Sequence, residues 1–214
     1  GLIYPRQFLP MAEDTGLILD IGEWVLRSAC SDRRTWQNGA ARTPRVSINL
    51  SNRQLYQGRS LVDSLARALS ETGLEPPCLE VEVTENALAQ DESAAIQTLR
   101  ELSDMGVSVS IDDYGTGYSS LSRLKRFPIR SVKIGRSFIR SVTDSADDAT
   151  LVTAMIAVGH GLKLNVTAVG VETGDQKAFL VERGIDEMQG YFIGKPVPLV
   201  ACQAYLASGP HQES

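Results

Sequence analysis

Oxygen-bearing side chains stand at the ends of three short segments that alternate apolar with small or polar residues. Asn49 ends the run RVSIN, Glu82 lies in LEVEVTE, and Asp112 with Asp113 ends VSVSIDD. Lys133 lies in a fourth such segment, SVKIG. Carboxylates and an amide oxygen with no His or Cys beside them are hard ligands, suited to Mg²⁺ or Mn²⁺ more than to Zn²⁺. In an adjacent acid pair, one carboxylate can bridge two ions while the other holds one. Two such ions clamp a phosphodiester and lower the pKa of the attacking water. Lys133 would neutralise developing charge or position that water. Two more segment ends, Gly135 and Val169, carry nothing that binds a cation. The residues describe a hard-metal phosphodiester site with part of its ligand set absent.

Each residue also has a plainer reading. An Asp-Asp pair after a strand commonly makes a turn or helix cap, Glu82 and Lys133 can form a buried ion pair, and Asn49 can be a turn former. Convergence separates the readings, because three strands bring oxygen ligands to one end of a sheet. His160, beside Gly161 in the last turn of a predicted helix, is expected to make a C-terminal capping contact and not to bind metal.

The elements that must position these groups follow from periodicity. Val46, Ile48 and Leu50 alternate with Ser47 and Asn49, and Leu79, Val81 and Val83 alternate with Glu80 and Glu82. The same two-residue period runs through Val107 to Asp112, Val132 to Ile134 and Leu164 to Val169. A sixth strand is placed around IDEMQ. Helical spacing recurs between them, in Ile21, Trp24, Val25 and Ala29, in Leu61, Leu65 and Leu69 before Gly73, and in the runs ESAAIQTLRELSDMG, DDATLVTAMIAVGHG and GDQKAFLVERG. Strand–helix alternation with a polar inner face predicts an α/β fold of the (β/α)8 barrel type. No Gly-rich fingerprint follows a strand, which argues against a dinucleotide-binding open sheet.

Such a barrel takes about 250 residues, more than the 214 here. GLIYPRQFLPMAEDTG reads as a loop and short helix, so the first strand or strands are expected to be missing and the chain to start inside the barrel. One barrel domain is assigned to residues 1–207, with a flexible tail over 208–214. A net charge of −5 and a pI of about 5.1 argue against nucleic-acid binding, which needs a basic stripe. There is no apolar run near the roughly 18 residues of a membrane span, and no leader pattern. Cys30, Cys78 and Cys202 are spaced for neither zinc nor a disulfide framework. A reducing cytoplasm is expected.

The segments FLPMAEDTGLI, INLSNRQL, EVTE, IDDYGTGYSSL, VKIGRSF, GVET and QGYFIGKP, in this order, resemble the EAL domain family of cyclic di-GMP phosphodiesterases from about Gly1 to about Tyr205. The resemblance implies a barrel of the triosephosphate-isomerase type with one antiparallel strand. It also implies a bacterial second-messenger role and metal-dependent hydrolysis of cyclic di-GMP to the linear dinucleotide. Residue by residue, Asn49, Glu82, Asp112 and Asp113 resemble the metal ligands, Lys133 the catalytic lysine, and Gln189 the glutamine that orders water and substrate. Glu85 resembles the acid that steadies the loop after the aspartates, and Glu172 a supporting acid. Asn49, Asp113, Lys133 and Gln189 are carried over as the nucleotide contacts. Tyr114 stands where the family usually has Phe.

Two departures lie in these motifs. Lys-Ile-Asp is here Lys133-Ile134-Gly135, and Ala-Glu-Gly-Val-Glu is Ala168-Val169-Gly170-Val171-Glu172. The Glu-Ala-Leu segment that names the family would lie just upstream of Gly1. The expected function is therefore a degenerate, non-hydrolysing receptor or regulatory domain for cyclic di-GMP, with an incomplete Mg²⁺ or Mn²⁺ site. The alternatives are an active phosphodiesterase and a protein-interaction module that binds no nucleotide. The resemblance also suggests a homodimer through YGTGYSSLSRL, and an upstream sensory or cyclase domain or a protein partner.

Overall fold

A computed structural model describes residues 3–36, 44–117 and 121–208. The last six residues of the expected tail, and Tyr118–Ser120 of the segment expected to mediate pairing, lie outside the described residues. The elements are α1 (Pro5–Thr15), α2 (Ile18–Thr35), β1 (Val46–Asn49), α3 (Asn52–Leu55), α4 (Arg59–Thr72), β2 (Leu79–Thr84), α5 (Glu92–Asp104) and β3 (Ser108–Tyr114). They continue with α6 (Leu121–Leu124), β4 (Ser131–Ile134), α7 (Arg136–Arg140), α8 (Ala146–Gly161), β5 (Asn165–Val169), α9 (Gly174–Glu182), β6 (Glu187–Gln189) and α10 (Leu199–Ser208). The six strands form one sheet in sequence order, β1 through β6. Strand–helix alternation thus yields the expected α/β sheet, parallel where β3, β4, β5 and β6 pair.

The chain divides into two compact units: Gly1–Val81 with Asp91–Ser108 and Val197–Ser214, and Glu82–Gln90 with Val109–Pro196. In the first, α4 buries Leu61, Leu65 and Leu69, the helical stripe expected from the sequence, and stops at Gly73 in a left-handed conformation. The adjacent α2 buries Ile18, Leu26 and Cys30, whereas Trp24, of the same spacing pattern, is exposed. Burial raises the Cys30 thiol to about 11, which makes it an inert packing group. The opening segment, expected to be a loop and short helix, holds the eleven-residue α1, with Pro5 in its first turn and left-handed Gly16 at its end. Pro in the first turn and Gly at the end punctuate a helix cheaply.

In the second unit, Val109, Ile111, Val132, Ile134, Val166 and Ala168 are all buried. Ser110, Ser131, Lys133 and Thr167 alternate with them and are buried too. Both faces of these strands are therefore out of water, as in a parallel sheet with covered faces. Register runs Ser131↔Asn165 through Ile134↔Ala168, then Thr167↔Glu187 through Val169↔Gln189. Between β3 and β4 it slips: Ile111 faces Val132, but Tyr114 faces Ile134. One extra residue is accommodated there, in a bulge that contains Asp112 and Asp113.

The strand ends are tied by close backbone approach. The amides of Gly170 and Val171 donate to the Gln189 carbonyl, and Phe192 N–H donates to the Val171 carbonyl. A Cβ on Gly190 would lie 2.1 Å from the Val171 oxygen and 2.3 Å from its nitrogen. Backbone cannot step aside as a side chain can. Gly190→Ala is expected to cost about 3 kcal/mol, the upper range for overpacking, whereas Gly161→Ala, with nothing within 4 Å of the new Cβ, should gain about 0.5 kcal/mol. Urea denaturation midpoints of the two variants check the contrast.

Candidate functional site

The second unit brings together Glu82 from β2, Lys133 from β4 and Gln189 from β6. The Lys133 ammonium donates to Glu82 Oε1 and lies 3.5 Å from Gln189 Oε1. Contributions from alternate strands are the pattern of a side-chain layer inside a parallel barrel. The Lys133 and Glu82 side chains are only 10% and 6% exposed, so the pair is desolvated, and each charge depends on the other. The intervening strand places the small Ser110 on this face, fully buried and with no hydrogen-bond partner for its hydroxyl. The plainer sequence reading of Glu82 and Lys133, a buried ion pair, describes their contact.

Asp112 and Asp113 sit in the bulge. In an unbroken strand they would point to opposite faces, and Asp113 would fall in line with Val107, Val109 and Ile111 on the apolar side. The chain avoids that by placing Asp113 at φ 53°, a left-handed conformation rare for a non-glycine residue. Bulges re-aim side chains in this way. Desolvation, and after it the neighbouring Asp112 carboxylate, raise the Asp113 carboxyl above the ordinary range.

Glu85 holds the loop that follows. Its Oε2 accepts from Gly115 N–H at 3.0 Å and from Gly117 N–H at 3.3 Å. Gly115, at φ +95°, and Gly117 let the backbone approach that carboxylate, since a Cβ on Gly117 would lie 2.9 Å from it. Burial, and then the Glu85 charge, raise the Tyr114 hydroxyl.

Gly135 lies directly against the acid pair: a Cβ there would meet Asp113 Oδ1 and Thr116 Cγ2, each at 3.3 Å. Its backbone, at φ −59° and ψ 143°, is open to any L-residue. The glycine is not required by the turn; Asp113 and Thr116 pack closely against it, and it offers the site no side chain. Val169 ends β5 in register with Gln189, half-buried. Glu172 is drawn elsewhere, paired with Arg136, whose stem crosses Gly170. Asn49 belongs to the other unit, where it ends β1 and lines a cavity of about 230 Å³ with Asp20, Gln54 and Gln57. His160 is not a helix cap. Its Nε2 lies 2.9 Å from Asp186 Oδ2, which also accepts from Val166 N–H.

Glu82, Asp112 and Asp113 are the hard ligands that this unit offers. Among the described residues no three acidic, His or Cys side chains converge as a cation cage. Glu82 is taken by Lys133, and the position beside Asp113 carries no side chain. The acid pair remains the strongest hard-ligand feature.

The residue pattern of the EAL domain matches residues 1–196. The chain belongs to the EAL domain family. Its relatives include the bifunctional diguanylate cyclase/cyclic di-GMP phosphodiesterase MucR of Pseudomonas aeruginosa, 48% identical over 97% of this chain. The cyclic di-GMP phosphodiesterases NbdA of the same organism and PdeR of Escherichia coli are 42% and 38% identical, each over 96% of the chain. The chain spans only 30%, 26% and 31% of these three proteins. A solved structure of the MucR phosphodiesterase in complex with c-di-GMP superposes with a TM-score of 0.90 at 46% identity, covering 94% of this chain and 81% of that one. The FimX EAL domain of P. aeruginosa, at 23% identity and a TM-score of 0.81 over 91% of this chain and 77% of that one, shares the fold. Phosphodiesterases of this family are metal-dependent.

Two features of this EAL domain escaped the sequence. The bulge had a signal, two adjacent carboxylates where alternation demands one apolar position. The Arg136–Glu172 pair across Gly170 had none. Lys133→Met should cost about 3 kcal/mol by leaving Glu82 buried without its partner, and Glu82→Gln on top should restore part of it, as read by urea denaturation. Glu85→Ala is expected to cost about 2 kcal/mol and to speed hydrogen exchange at the Gly115 and Gly117 amides specifically.

Proposed function

We propose that this EAL domain is a cyclic di-GMP receptor or regulatory domain that does not hydrolyse its ligand. The observation that carries this reading is that Gly135, packed directly against Asp113, offers no side chain to bind a cation, and that Val169, paired with Gln189 at the neighbouring strand end, offers only an apolar one. Loss of a positioned general base costs about 10² to 10⁴ in rate, and loss of a cation ligand weakens the centre that would make the nucleophile. Glu172, tied to Arg136, is no substitute. Recognition of the nucleotide makes other demands, and Asn49, Asp113, Lys133 and Gln189 are the contacts proposed for it. The c-di-GMP complex of the MucR phosphodiesterase supports the ligand class.

A second reading, an active phosphodiesterase that uses Mg²⁺ or Mn²⁺ and makes the linear dinucleotide, is favoured by the retained Glu82, Asp112, Asp113 and Lys133. It is favoured also by the phosphodiesterase activity for which these relatives are named. In either case the domain works within a longer protein that supplies a sensory or cyclase module or docks a partner, and a homodimer fits that use. No helix among the described residues is long and apolar enough to cross a membrane. The cytoplasm is the proposed location, in keeping with the free thiols of Cys30, Cys78 and Cys202.

Calorimetric titration of cyclic di-GMP into the intact protein with Mg²⁺ should give saturable heat, and chromatography should show no linear product. Sustained heat with product would establish the phosphodiesterase, and no heat would leave a protein-interaction module. Restoring acids with Gly135→Asp and Val169→Glu together is expected to raise turnover at least about 100-fold.

A further inference from the structure

The N-terminal ends of β4 and β5, the ends away from Gly135 and Val169, carry a second concavity. Residues leading into β4 and β5 line a cavity of about 280 Å³, formed by Leu124, Lys125, Phe127, Ile129 and the Gly161–Leu164 turn. Leu124 and Phe127 form a buried floor, 2% and 6% exposed. Ile129, Leu162 and Leu164 are half-buried walls, and Lys125 and Lys163 are exposed at the edge. The basin opens to solvent along a rim formed by Lys125, Gly161 and Lys163, all three exposed.

Its charge stands out in an acidic chain. Residues 114–143 contain seven Lys and Arg and no Asp or Glu, and residues 149–171 also lack any acid. Some of these cations have internal partners: Lys133 takes Glu82, and Arg136 takes Glu172. Lys125 and Lys163 have no acidic partner among the described residues. Lys163 also holds its place at a backbone cost. It ends the turn after α8 at φ 61°, with its N–H bonded to the His160 carbonyl and Leu164 N–H to that of Gly159. That is the helix-ending position where glycine is the default residue. The lysine therefore brings a charge to the basin at a position where glycine would fold more easily.

We infer that this basin docks an acidic segment of a protein partner, with one Leu or Phe side chain seated on Leu124 and Phe127 and flanking carboxylates on Lys125 and Lys163. A peptide is favoured over a small molecule because ligand pockets enclose most of their guest, and this basin is open. A single apolar anchor with paired charges at the rim is the composition of a peptide hot spot. The inference goes beyond the nucleotide reading and is tested without nucleotide, so either can fail alone.

The probe is the hexapeptide Glu-Asp-Leu-Phe-Asp-Glu, titrated into the ¹⁵N-labelled intact protein. Saturable shifts are expected at the amides of Phe127, Gly161 and Leu164, with weakening on added salt. Lys125→Glu and Lys163→Gly should each weaken binding about tenfold. Lys163→Gly should at the same time raise the thermal midpoint, because it removes left-handed strain, so loss of binding there is not unfolding. The inference is overturned if these amides do not shift, or if both variants bind as the parent does. It is overturned also if a Lys-substituted peptide binds equally, or if decanoate or phosphatidylglycerol vesicles shift these amides and the peptide does not.

Discussion

Lys133 is an ammonium group taken out of water, and most of what surrounds the site follows from the need to compensate it. A buried cation without a partner would lose its proton or unfold its surroundings. Glu82 supplies the countercharge from β2, and Gln189 offers an amide oxygen from β6 at 3.5 Å. Reaching both requires small residues on the intervening strands, and Ser110 and Thr167 meet that need. It also requires strand ends that do not splay, which the hydrogen bonds from Gly170 and Val171 to Gln189 ensure. Gly190 allows those two backbones to approach.

The same pair bears on the metal question. Glu82, Asp112 and Asp113 against Lys133 leave two negative charges uncompensated. Acids in place of Gly135 and Val169 would double that excess and make the mouth untenable without cations. The Asp112–Asp113 pair is the crowded part of this mouth, and the Asp113 carboxyl is raised by desolvation first and by the Asp112 charge second. Neither Gly135 nor Val169 carries a group that binds a cation.

Much of this was legible in the chain. Two-residue alternation located five of the six strands, and for β3, β4 and β5 it is clear because both faces of a covered parallel sheet exclude water while one face must still hold the polar groups. Leu61, Leu65 and Leu69 marked α4 because a packed helix needs a continuous apolar stripe. Trp24 misled, since helical spacing does not say which face a helix buries. The length of α1 was hidden by its two prolines, although Pro5 sits where the missing N–H costs nothing. Ligand types and strand-end positions marked the acid pair, but its bulge is a property of register, set by two strands at once. His160 found Asp186 by tertiary proximity, which no local capping rule anticipates.

The asymmetry around Lys133 says which contact can yield to a guest. Its bond to Glu82 joins opposite charges in a desolvated layer and is the stronger of the two. The approach to Gln189 stands at the outer limit of a hydrogen bond between an ammonium and a neutral amide. A phosphate oxygen arriving from the strand ends would compete with Gln189 first, leaving Glu82 in place to hold the ammonium. Gln189 would then be free to turn its amide toward the same guest, because it contributes both a donor and an acceptor. A site organised in this way can exchange an internal contact for a ligand contact without breaking its buried ion pair, and that property serves recognition whether or not hydrolysis follows.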